Sequence, residues 1–92
     1  RRGNPEGVMF MSDISILRQI RQDILQRYQH DPRIRINVSI AKPKIRLHNV
    51  PVLITGVCDH VFQIEDSTSP QARRYTLQYT DVLTHNIEIL DL

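Results

Sequence analysis

Six basic or imidazole side chains crowd one stretch of this chain: Arg33 and Arg35, then Lys42, Lys44, Arg46 and His48. Arg33 and Arg35 alternate with Ile34 and Ile36, and Lys44, Arg46 and His48 alternate with Ile45 and Leu47. A period of two puts each set on one face of a strand. If the two strands pair, five cations line a single surface with His48 beside them. That surface has the sign and density to meet phosphates or an acidic partner. A solvated strand face that deters edge aggregation carries the same pattern. No aromatic residue is interleaved with the stripe, whereas binders of single-stranded nucleic acid stack bases on such residues.

Residues for catalysis are sparse. The four histidines, His30, His48, His60 and His85, are scattered, and no His-x-x-x-His or Cys-x-x-Cys spacing occurs. A metal would therefore need ligands converging from distant segments. His60 and His85 read as turn residues. Cys58 is the single cysteine; it has no partner for an internal disulfide, and its place in an apolar run reads as a small core residue. Outside the first ten residues Gly56 is the lone glycine, so no glycine-rich phosphate loop is written here. With 92 residues, the chain has little core to spare for a deep cleft. The expectation is a protein that is not an enzyme and uses neither metal nor cofactor.

The formal net charge of +2 hides an asymmetry. Residues 11–49 hold eight cations against three acids, a net +5, and residues 50–92 hold two against six, a net −4. A basic half and an acidic half suit an anion-binding face, and suit association of one copy with another just as well. No run approaches the roughly 18 apolar residues of a membrane span, and residues 1–10 lack the apolar core of a signal peptide. A cytoplasmic protein that does not enter a membrane is expected.

The elements that must position these residues follow from periodicity. Residues 1–10, with two glycines and a proline, read as a tail ahead of a natural start at Met9 or Met11, and residues 11–92 as one domain. Residues 12–28 place Ile14, Leu17, Ile20, Ile24, Leu25 and Tyr28 on one stripe of a 3.6-residue period, a helix with Ser12 as its N-cap. Pro32 ends it. The stripe packs on the rest of the domain or forms a self-association face, giving a homodimer.

Strand patterns follow at residues 33–40, 44–48, 50–58, 61–65, 74–79 and 86–90. Pro51 marks an edge or bend and Gly56 a bulge. Tyr75, Leu77 and Tyr79 alternate, which assigns both tyrosines to the interior rather than to a stacking platform. Residues 80–84 suit one helical turn capped by Thr80 or Asp81. A helix, about five short strands and a helical turn before the last strand predict a mainly β domain. Its expected form is a small five-stranded SH3-like or Sm-like barrel preceded by one N-terminal amphipathic helix.

The later part of the chain resembles a known family. Val61-Phe-Gln-Ile64, a polar loop, Tyr75-Thr-Leu-Gln-Tyr-Thr-Asp-Val-Leu-Thr84 and Ile87-Glu-Ile89 are similar to the Veg family, small proteins of low-GC Gram-positive bacteria that stimulate biofilm formation. Ile14, Leu17 and Ile20 match its N-terminal helix, and Arg35, Ile36 and Val38 its first strand. Where the family carries a glycine-rich basic turn, this chain has Ala41-Lys-Pro-Lys-Ile-Arg46, basic but without glycine. The resemblance implies a helix-plus-barrel fold and no enzyme activity. It also implies a regulatory role through a protein partner, in the family the control of biofilm matrix genes. Nucleic-acid binding by the basic strand face is the alternative.

Overall fold

A computed structural model describes the backbone of residues 5–68 and 70–92, and side chains from residue 14 onward except residue 69. The chain runs α1 (Pro5–His30), β1 (Arg33–Ile40), β2 (Ile45–Val57), β3 (Val61–Asp66), β4 (Arg73–Gln78), α2 (Tyr79–Leu83) and β5 (Ile87–Ile89). The five strands form one antiparallel sheet in the order β4-β3-β2-β1-β5. The fold is thus mainly β with a leading helix. β4 and β5 are the two edges of the sheet, and among the described residues no ladder joins them. Instead α2 lies between them and packs on both.

The helix starts earlier than its apolar stripe. Pro5 stands at its first position, where the missing N–H removes only a donor that has no partner in the first turn. Ser12 is therefore inside α1 and is not its cap. Of the segment read as a tail, residues 5–10 belong to the helix and residues 1–4 lie outside the described residues.

The two patterns at residues 44–48 and 50–58 merge into the single strand β2. Their phases disagree, since Ile45 and Leu47 are odd-numbered and Val50, Val52 and Ile54 even-numbered. A one-residue slip turns a strand's side chains to the opposite face. A bulge absorbs the slip: Val38 pairs with Leu47 but Ile36 with Val50, so two residues of β2 oppose Asn37. Asn49 takes the strain at φ 51°, a region asparagine tolerates better than most residues. A second bulge lies between Ile54 and Gly56 against β3. Pro51 pairs with Arg35 on the β1 side, and β3 begins to pair only at Leu53, so its missing N–H faces no strand there.

One face of the sheet holds the core. Ile34, Ile36, Val38, Ile45, Val52, Ile54, Phe62, Ile64, Leu77 and Ile87 are buried together, with Ile24 of α1 and Tyr79 of α2 closing the layer. Phe62 and Tyr79 stack with ring centroids 5.7 Å apart. Cys58 departs from expectation. It lies just beyond β2 and is exposed, because the chain there turns and uses its backbone. The Cys58 N–H donates to the Val61 carbonyl at 2.8 Å, and its own carbonyl accepts from the Tyr79 hydroxyl and from Arg21 Nε. The cap of α2 departs as well. Gln78 is the N-cap residue and makes no side-chain capping bond. The Thr80 hydroxyl donates to Gln78 Oε1, and Asp81 accepts from Asn86 Nδ2.

Candidate functional site: the outer face of the first hairpin

β1 and β2 pair as expected of the basic stripe. Ser39 lies opposite Arg46, and Arg35 opposite Pro51. Alternation along β1 turns Arg33, Arg35, Asn37 and Ser39 outward, since Ile34, Ile36 and Val38 are buried. Arg46 and His48 share that outer face on β2, and Lys42 and Lys44 stand in the turn between the strands. All four are exposed.

The register divides the stripe in two. Arg35 and Ser39, which pairs with Arg46, are four residues apart on β1, about 13 Å at the rise of a strand. Between them the Asn49 bulge builds a polar seam. The Asn49 N–H donates to Asn37 Oδ1 at 2.6 Å, Arg35 Nη1 donates to Asn49 Oδ1 at 3.4 Å, and Asn37 Nδ2 donates to Glu88 Oε1 at 3.5 Å. Glu88 of β5 thus brings a carboxylate to the middle of the face.

At the near end Arg33 is engaged. Its Nε lies 3.1 Å from Asp31 Oδ1, and its own backbone N–H donates to the same oxygen. The Arg33 side chain and backbone hold the Asp31 carboxyl below its ordinary value of 3.8. At the far end Lys42, Lys44 and Arg46 make no ion pair among the described residues, and His48 stands beside them. The hairpin therefore presents a compact cationic tip, not a continuous track.

Elsewhere the outer face mixes signs. Arg74 Nε on β4 meets Glu65 Oε1 on β3 at 3.1 Å. Among the described residues no group of three His, Cys, Asp or Glu side chains is placed to hold a metal ion, and no helix is long and apolar enough to cross a membrane.

The helix stripe is used mainly on the chain's own sheet. Ile24 is fully buried, and Leu17 and Ile20 pack against the same core. Ile14 is half-buried and lines a groove beside α1, Leu25 is half-buried, and the exposed Tyr28 donates its hydroxyl to the Thr55 carbonyl at 3.3 Å. As a face for a second copy, the stripe has therefore given up its centre.

One structurally decisive residue stands at the edge of the apolar stripe, three residues after Ile24 and seven after Ile20. Arg27 Nε donates to the Asp31 carbonyl at 2.9 Å, Nη2 to the Arg33 carbonyl at 2.8 Å and Nη1 to the Asp91 carbonyl at 2.9 Å. Five donors in a rigid fork allow one arginine to tie the end of α1, the start of β1 and the segment after β5 together. Its place in the last turn of α1 was the available signal, because carbonyls at a helix end need donors. The chain matches no family model, no curated protein and no solved structure.

Proposed function

We propose that this chain is a non-catalytic regulatory protein, of the kind the Veg resemblance implies, that works by binding an acidic surface of another protein through the tip of its first hairpin. The observation that carries the reading is the division of the basic stripe. Lys42, Lys44 and Arg46 stand together at the tip, free of ion pairs among the described residues, while Arg33 is drawn to Asp31, Arg35 donates to Asn49 and stands apart from the tip, and the middle of the face holds Asn37 and Glu88. A tip of three cations beside mixed charge suits a local acidic patch on a protein, where complementary charge sets orientation and on-rate. A phosphate backbone is better served by a continuous run of cations, and stacking aromatics are missing from the stripe.

Affinity capture with and without nuclease tests the reading, followed by titration of the captured partner in low and moderate salt. A protein partner retained after nuclease, and lost on replacing Lys44 and Arg46 by glutamate, is the expected outcome. Retention of nucleic acid alone, abolished by the same substitutions, would replace it with the nucleic-acid reading.

A further inference from the structure

We infer that the groove between α1 and the β2–β3 turn receives residues 90–92 of a second copy, so that the chain associates head to tail. The groove has a volume of about 650 Å³, within the range of sites that take small ligands or peptide side chains. Ile14, Leu17, Val61 and Tyr79 give it an apolar wall, and Arg18 and Arg21 a cationic edge on which Asp59 is the one carboxylate, so the edge keeps a net positive charge. Arg21 reaches Asp59 only at 3.8 Å, and Arg18 makes no ion pair among the described residues. What fits such a site is a short segment with apolar side chains flanking a carboxylate.

The chain carries that segment as Leu90-Asp91-Leu92. Leu90 is 45% and Leu92 55% exposed, and they are two of the four large hydrophobic side chains left exposed among the described residues. The segment is also presented in a fixed shape. The Leu90 N–H donates to the Arg35 carbonyl at 2.9 Å, and Arg27 holds the Asp91 carbonyl. Less freedom is therefore lost when it docks. The Asp91 carboxylate lies 3.9 Å from Arg27 Nη2, a loose, partly exposed pair that leaves it able to meet a second arginine.

The same contact that fixes the segment prevents it from filling the groove of its own chain. Arg27 anchors it six residues along α1 from Arg21 and thirteen from Ile14, about 9 and 20 Å at the rise of a helix. The occupant is therefore another copy. Because groove and segment are different surfaces, the contact is heterologous and each added copy leaves one of each unused. So small an interface gives weak, concentration-dependent association. It is separate from the cationic hairpin tip and stands or falls apart from the proposed function.

Sedimentation velocity across about 5 to 500 µM chain, a span that brackets weak association, decides the matter. The weight-average mass is expected to rise with concentration. Arg18→Glu spoils the groove and Leu92→Asp the segment; both positions are on the surface, so each variant keeps the fold, which circular dichroism checks. Each variant alone is expected to stay monomeric. Mixed together they restore one good contact, the intact segment of the Arg18→Glu chain in the intact groove of the Leu92→Asp chain, and the mixture should stop at dimers. A wild-type monomer throughout, association that survives either variant, or a mixture that stays monomeric overturns the inference.

Discussion

The Tyr79 hydroxyl donates to the Cys58 carbonyl while its ring stacks on Phe62 at an interplanar angle of 12°. This pairing joins α2 to the β2–β3 turn, and Arg21 Nε of α1 reaches the same carbonyl at 3.3 Å. One side chain thus links the element between the two sheet edges to the middle of the sheet and, through a shared acceptor, to the helix. Tyr79→Phe keeps the stacking and removes one hydrogen bond, with Arg21 still present, so a loss of about 1 kcal/mol is expected. Phe62→Ala removes the stacked partner at a fully buried position and should cost about 3–5 kcal/mol. Urea unfolding with an unchanged slope reads both.

The same phenol makes stability depend on alkaline pH. Burial pushes Tyr79 above its ordinary value of 10.0, partly offset by Arg21. The unfolded chain ionises there first, so the folded state keeps its full contribution below pH 10 and loses it as pH rises from 10 through the raised folded value. Unfolding midpoints of the wild type should fall more steeply above pH 10 than those of Tyr79→Phe. Parallel curves would contradict the buried phenol.

Asp31 and Arg33 give the acid counterpart. The Asp31 carboxyl is held below 3.8 by hydrogen bonds from the Arg33 side chain and backbone. Its contribution is present above the ordinary value and is lost as pH falls through the lowered one. A carboxyl-carbon NMR titration should place Asp31 below 3.8, and Arg33→Gln should move its midpoint back up. An unchanged midpoint in the variant would show that Arg33 is not the cause.

Burial along α1 separates core from surface. Ile24→Ala opens a cavity under the helix and should cost about 2–5 kcal/mol, whereas Ile16→Ala, at a position 43% exposed, should stay within about 0.5 kcal/mol. Equal effects would mean that α1 does not close the core through Ile24.

Much of this architecture is written in hydrophobic spacing. The alternation of Ile34, Ile36 and Val38 against arginine marks β1, and Ile24 lies on the stripe that buries α1. The change from odd-numbered Ile45 and Leu47 to even-numbered Val50, Val52 and Ile54 is itself the mark of the bulge. Read as two strands, it instead hid the length of β2. Other features belong to tertiary geometry. The exposure of Cys58 depends on where the chain turns after Val57, and the three carbonyls gathered by Arg27 are 4, 6 and 64 residues away along the chain. The site was legible as a list of cations, but its division was not. Asn37 and Asn49 meet only because a bulge sets two residues opposite one.

Fluorescence anisotropy of random-sequence 20-nucleotide DNA and RNA, titrated with the chain at 50 and 200 mM salt, distinguishes a protein-binding hairpin tip from a nucleic-acid-binding one. Three cations on phosphate would give a salt dependence of about 20- to 40-fold over that range. Weak binding of either oligonucleotide, little altered by replacing Lys44 and Arg46 with glutamate, is expected of a protein-binding tip. Tight binding that falls about 20-fold or more with salt and disappears in the double variant would contradict it.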